Sequence, residues 1–180
     1  QRGLAAARAL APRGDLVMEL MRRDGECLDL LGSAEQAHHV LSEALVRCQE
    51  VGDRFEAAVT RRCLGVNATH LGRWKFAAEQ LQRAASELGR LEARHEKMLA
   101  ALHLAQALIR QIDTGNAGAR AGRLLNLAWN SVLIAQQLKQ DLRLDHLTEK
   151  IDALVAELAQ RRLQDQAPPP PPVSFSARRA

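Results

Sequence analysis

From Leu16 onward, apolar side chains return every three or four positions, and the stretches that carry them are separated by short breaks built on glycine or aspartate. That period belongs to helices that bury one face. Leu16, Leu20, Leu28 and Leu31 predict a helix over 16–31 with Asp15 as its N-cap. Ser33-Ala34-Glu35-Gln36 has the form of a capping box and opens a second helix, 34–50, which Gly52 ends; Asp53 with Glu56 opens the next in the same way. The pattern continues as helices over 54–71, 74–91, 92–112, 121–140 and 145–164. The sixth carries Trp129 toward the core, and the last keeps Leu147, Ile151, Leu154, Val155 and Leu158 on one side. Strand-like alternation is nowhere sustained, so the chain reads as all-α.

These helices repeat. Gly65, Gly72, Ala77, Leu81 and Ala84 stand forty positions after Gly25, Gly32, Ala37, Leu41 and Ala44. Ala105 stands forty beyond Gly65, and Ala128, Val132 and Ala135 then restore the spacing after an eleven-residue insertion at the third turn. In the central copy, small residues at Gly65, Ala77 and Ala84 allow two helix backbones to approach closely. Leu64, Trp74 and Leu81 fill the space between them, and Gly72 makes the tight turn of a hairpin. A period of this length marks an array of hairpins, none of which buries its apolar face without its neighbours.

The central copy resembles the tetratricopeptide repeat family: small residues at Gly65, Ala77 and Ala84, Leu64 before the glycine, Trp74 after the turn, Leu81 in the large apolar slot. The first copy has Asp24 where Leu64 stands, and the third has Ala105 for the glycine. The forty-residue pitch exceeds the family's usual period of about 34 and is similar to the variant found in signalling scaffolds and in regulators with a separate effector domain. Over 16–140 the resemblance implies a right-handed superhelix of antiparallel helix hairpins, about three repeats, with 145–164 as a C-terminal capping helix. It also implies a concave groove lined by the first helix of each hairpin. Carried over by register, the groove residues are Arg22 and Glu26 in the first copy, Arg62, Val66, Thr69 and His70 in the second, and Leu99, His103, Gln106 and Arg110 in the third, with Glu19, Arg23, Asp29, Val59 and Leu102 beside them. Family members that clamp a peptide's C-terminal carboxylate use an asparagine one position after the close-packing glycine; Val66 holds that place here.

Composition narrows the function classes. The chain has 180 residues, enough for one domain with a proper core, and 47% of them are hydrophobic while only 3% are aromatic. With 25 basic and 21 acidic side chains the net charge is only +4, and no aromatic platform accompanies the basic residues. This predicts a mixed solvated surface and neither a nucleic-acid nor a membrane partner. No apolar run reaches the roughly eighteen residues that span a bilayer. Residues 1–14 read as a linker or the end of a preceding element, with an organelle-targeting remnant as the alternative, and 15–164 as the repeat domain. The tail, 165–180, contains Pro168 to Pro172, which is either a semi-rigid linker or a ligand for an SH3-like domain.

Candidate chemistry is thin. Cys27, Cys48 and Cys63 lack metal-site spacing and form no disulfide framework, which suits a reduced cytoplasmic setting. Cys63 and His70 share a helix face, but no orienting third group accompanies them. His38 and His39 are adjacent and diverge, and Asn67-Ala68-Thr69 matches a glycosylation acceptor inside a helix. No cofactor, metal or catalytic site is expected. The reading is a non-catalytic scaffold that takes a peptide or helix of a partner in its concave face, as part of a larger signalling or regulatory protein. The alternative is a structural segment of a multi-protein assembly with no independent ligand.

Overall fold

The computed structural model describes residues 2–10, 14–115 and 117–165. Pro168 to Pro172, and with them the SH3-ligand reading, lie outside the described residues. Eight α-helices follow one another: α1 (Arg2–Leu10), α2 (Asp15–Leu30), α3 (Ala34–Val51), α4 (Arg54–His70), α5 (Trp74–Arg90), α6 (Arg94–Asp113), α7 (Ala121–Leu142) and α8 (Thr148–Asp165). Short 3-10 turns precede α7 and α8. Each of α2 to α8 packs on the helix before it. In addition α2 touches α4 and α4 touches α6, while among the described residues no comparable contact joins α3 to α5 or α5 to α7. The first helices of the hairpins thus crowd together on an inner side and the second helices spread on an outer one. The result is an all-α repeat array that curves.

The repeated small residues explain the close packing. Ala37, Ala44, Ala77, Ala84, Ala128 and Ala135 are fully buried, as is Leu81 between the central helices. A methyl group on Gly25 would stand 2.6 Å from Leu41 Cγ, and one on Gly65 only 2.4 Å from Leu81 Cγ. Both positions therefore need glycine opposite leucine. The third copy solves the same problem differently, setting Ala105 and the shorter Val132 in one core cluster. Trp74 is only partly buried and lies by the turn, beneath Gly72, and Leu64 turns to the other neighbour, packing in a separate cluster with Leu41 of α3, so Leu81 is left to carry the core between α4 and α5.

The turns follow one plan. At the end of α2, Ser33 N–H donates to Leu28 O and Gly32 N–H to Asp29 O; Arg73 to Ala68 and Gly72 to Thr69 repeat this after α4, and Ala93 to Leu88 and Glu92 to Gly89 after α5. The penultimate turn residue has positive φ, 81° at Gly32 and 69° at Gly72, but the third such residue is Glu92 at 55°. Glu92 therefore ends the α5–α6 turn and does not start α6, which begins at Arg94. Two capping expectations also change. Ser33 occupies the N-cap of α3 without a side-chain cap bond, because its φ and ψ of −86° and 53° depart from the extended shape that aims a hydroxyl at the helix; the N-cap of α2 is Gly14, one residue before Asp15. Asp53 does cap α4, its carboxylate accepting from Glu56 N–H at 2.9 Å.

Beyond α6 the insertion is absorbed by a longer α6, the turn at 118–120 and a longer α7, with Ala117 buried against them. Trp129 packs at the edge of the core with the Arg162 guanidinium 5.4 Å above its ring. Ile151, Leu154 and Leu158 of α8 close the same cluster, so the last helix covers the end of the stack. Among the described residues, no helix is long and apolar enough to cross a membrane.

Candidate functional site

The inner face divides into two parts. Toward the start of the array, α2, α4 and α6 are stitched together by charge. Arg22 of α2 donates to Glu56 of α4, and Arg62 of α4 donates to Glu96 of α6 at 3.1 Å. Arg22 and Arg62 are forty positions apart, and so are Glu56 and Glu96, so one interhelical ion pair recurs with the repeat. Glu26 links the two rungs, at 2.9 Å from Arg22 and 3.6 Å from Arg62. Burial pushes the Glu56 carboxyl up from its ordinary value, and the hydrogen bond from Arg22 opposes that shift. For Arg22 burial is the largest single influence and lowers the value, but the hydrogen bond and charge of Glu56, together with Cys63 and Glu26, outweigh it, and the guanidinium is held above its ordinary value, charged at every relevant pH. Arg22, Glu26 and Arg62, assigned to the groove by register, spend their polar atoms within the chain, on these pairings across α2, α4 and α6. Arg22 is only 5% exposed.

Farther along, a second polar set ties the α2–α3 turn to α4. Buried Asn67 donates to Asp29 Oδ1 at 2.8 Å and to Ala34 O at 2.9 Å, and its Oδ1 meets His38 Nδ1 at 3.1 Å. His70 Nδ1 lies 2.8 Å from Asp29 Oδ2. The amide of Asn67 is thus an interior tie, not a glycan acceptor. Cys63 and His70 are not partners either: the Cys63 thiol donates to Glu26 at 3.0 Å. Burial, with Glu26 adding to it against a pull from Arg62, pushes that thiol up to about 12. Such a sulfur stays protonated and inert at neutral pH.

Between α4, α6 and α8 the inner face opens into a cleft of about 330 Å³. Val66, Thr69 and His70 of α4 form one wall, and Leu154 and Glu157 of α8 the other. The floor is α6, with His103, Gln106 and Arg110 spaced to share one face, and with Ile109 and Asp113 toward its end. Six of the ten residues placed in the groove by register meet here: Val66, Thr69, His70, His103, Gln106 and Arg110. Leu99 does not; it packs partly buried against the core. Sequence reasoning missed the α8 wall, since that helix lies outside the repeat and only its amphipathic pattern was visible.

The chemistry of the cleft is set by which groups already have partners. Arg161 of α8 donates to Asp113 at 2.6 Å and to Glu157 at 2.7 Å, closing the rim. Thr69 Oγ1 donates to Gly65 O. By contrast, Arg110 and Gln106 have no side-chain partner among the described residues, and Arg110 is exposed. His103 Nδ1 is shut off from solvent and likewise unpartnered. Burial, with the nearby charges of Arg62, Lys150 and His70 adding to it, pushes the His103 imidazole down to about 3, so the ring is neutral at physiological pH. Among the described residues, no group of three His, Cys, Asp or Glu side chains is arranged to hold a metal ion. None of the protein-family models, characterised proteins or solved structures compared with the chain matches it.

Proposed function

We propose that the chain is a non-catalytic, tetratricopeptide-like interaction module that receives a segment of a protein partner on its concave face, as part of a larger signalling or regulatory protein in the reducing cytoplasm. The observation that carries this reading is the contrast along one face. Where α2, α4 and α6 meet, the charged side chains are paired with one another; where α4, α6 and α8 meet, Gln106 and Arg110 stand without side-chain partners among the described residues around an open cleft. Rigid helices hold these groups in place beforehand, so a segment that fits them meets an ordered surface and binding costs little receptor entropy. The buried, protonated Cys63 and its separation from His70 argue for a binding role and against nucleophilic chemistry.

The test is site-specific photo-cross-linking. A photoreactive side chain at Gln106, on the cleft floor, is compared with one at exposed Gln82 on α5. The expected result is a partner attached from Gln106 and not from Gln82, which then binds the purified wild-type array and fails to bind Arg110→Glu. Attachment from Gln82 alone, or undiminished binding to Arg110→Glu, overturns the proposal.

One observation favours the second reading, a structural segment of an assembly. Leu30 and Leu31, adjacent at the α2–α3 turn, are 85% and 79% exposed, an apolar pair that a neighbouring surface would cover. In that case Leu30→Ser/Leu31→Ser abolishes assembly while the Arg110 variant does not.

A further inference from the structure

We infer that the aromatic hollow beside the α4–α5 turn is a docking site for a polyproline segment, and that its occupant is the run Pro168 to Pro172 of the same chain. The inference goes beyond the groove reading, since the hollow lies apart from the cleft between α4, α6 and α8. Three features point to it. First, the hollow, about 540 Å³, is lined by His38, Arg73, Trp74, Lys75, Phe76 and Glu79. The sequence holds only two Trp, three Phe and no Tyr, yet Trp74 and exposed Phe76 meet here, and the His38 ring stands edge to face with Phe76 at 5.7 Å. Second, the polar groups of the hollow are engaged or cancel. Arg73 donates to both carboxylate oxygens of Glu35, at 2.9 and 3.0 Å, and His38 Nδ1 faces Asn67 Oδ1. Lys75 and Glu79 are opposite in charge, so the hollow favours neither a cation nor an anion. The indole N–H of Trp74 has no hydrogen-bond partner among the described residues. What remains on offer is aromatic surface and one donor. A run of prolines is the complement: it brings pyrrolidine rings and backbone carbonyls, with no N–H of its own to compete for them.

Third, the run starts within reach. The last turns of α4, α6 and α8 lie on one side of the array: Arg161 of α8 donates to Asp113, the last residue of α6, and His70, the last of α4, lines one cleft with Asp113 and Glu157. Trp74 opens α5 just past that end, beside Gly72. By way of α6, α8 stands two helix spacings from α4, or about 16–20 Å. From Asp165, where α8 ends, to Pro172 is seven residues, which at about 3.1 Å each in the polyproline form span about 22 Å. Proline rings fix φ before any contact is made, so docking the run costs little ordering entropy. The short tether also holds it near the hollow at a millimolar local concentration. A proline-rich segment of another protein has the same rings without the tether.

The experiment compares the whole chain with one in which Pro168→Ser to Pro172→Ser are combined, a change confined to the segment after α8; helical circular dichroism checks that both are folded. The Nε1–H resonance of Trp74, told from that of Trp129 by Trp74→Phe, is followed by NMR. The two chains are expected to differ at Trp74 and to coincide at Trp129. A synthetic peptide of residues 166–180 should then move the Trp74 resonance of the serine-substituted chain saturably toward its position in the parent. At a local concentration of about 1 mM, a peptide with a Kd of about 0.1 mM should bind the parent about tenfold more weakly, because the hollow is already taken. Adding Phe76→Ser to the serine-substituted chain should abolish the peptide response without moving its thermal midpoint, as Phe76 is exposed. Coincident Trp74 resonances in the two chains, equal peptide binding to both, no binding to either, or a response centred on Trp129 overturns the inference. So does a parent resonance that drifts on dilution toward that of the serine-substituted chain, which would seat the segment on a second copy. Gln106 lies in the cleft and not in this hollow, so the cross-linking test and this one fail independently.

Discussion

Gly65→Ala tests the close packing on which the array depends. The added methyl carbon would lie 2.4 Å from Leu81 Cγ, 2.9 Å from Cδ2 and 3.2 Å from the carbonyl oxygen of Ala77. Leu81 is fully buried and Ala77 O is backbone, so neither can step aside without parting α4 from α5. Alanine gains about 1 kcal/mol over glycine within a helix, against about 1–3 kcal/mol for forcing a methyl into a filled core. The clash lies at the severe end, so a net loss of about 1–2 kcal/mol follows. At about 2–4 °C per kcal/mol for a chain of this size, the thermal midpoint falls by about 2–8 °C. Ala105 with Val132 supplies the remedy in the third copy. Leu81→Val alone should cost about 1 kcal/mol for the lost methylene and its cavity, while Gly65→Ala/Leu81→Val should cost less than the sum, with a coupling of about 1 kcal/mol or more. Gly3→Ala, where nothing stands within 4 Å of the new carbon, is the control and should leave the midpoint unchanged or raised. Thermal and urea unfolding, each followed by helical circular dichroism, measure all four. Additive costs in the double variant, or a Gly65→Ala variant as stable as the parent, would refute the steric account.

Arg22→Met should destabilise by about 3–5 kcal/mol, since it leaves Glu56 buried without its counter-charge, whereas Arg22→Met/Glu56→Leu should recover most of that loss; equal urea midpoints for the two variants would deny the ion pair its place. A thiol-specific reagent at pH 8 should modify exposed Cys27 quickly and Cys48 and Cys63 only on unfolding, as burial pushes these two up to about 11 and about 12; three equal rates would contradict the packing of α3 and α4. For His103 the folded value of about 3 lies below the ordinary 6.5, so the unfolded chain takes up the proton first as pH falls. The stabilising contribution of the neutral ring is then whole above about pH 6.5 and is lost toward pH 3, by up to about 1.4 kcal/mol per pH unit. His103→Gln should show a shallower decline in urea midpoint between pH 6.5 and 4.5, and parallel curves would show that the ring titrates normally.

Much of the fold is legible in the sequence because helical period and hairpin turns are local. Apolar spacing placed seven helices with ends within three residues of those observed, and the forty-residue recurrence of glycine, alanine and leucine marks the close contacts of Gly25 with Leu41 and Gly65 with Leu81. Glu92 escaped because a left-handed turn residue is recognised by glycine, and here the same turn hydrogen bonds, Glu92 N–H to Gly89 O and Ala93 N–H to Leu88 O, close around an exposed glutamate in that shape. Ser33 misled because a capping motif states a possibility that backbone angles at one residue can cancel.

Site chemistry divides along the same line. The family resemblance, carried along by register, assigned Arg22, Arg62, His103 and Arg110 to one inner face, since a repeat carries equivalent residues to equivalent places. Which of them are spent and which are free was decided by distances across helices: Arg22 and Arg62 find Glu56 and Glu96, thirty-four residues on, while Arg110 finds no such acceptor among the described residues. The recurring pairs of opposite charge were present in the sequence, but a charge pattern becomes an ion pair only when packing fixes two helices at one separation. The α8 wall of the cleft follows the same rule. Leu154 and Glu157 belong to no repeat, and only the docking of the last helix against α7 and the core brings them opposite His103 and Arg110.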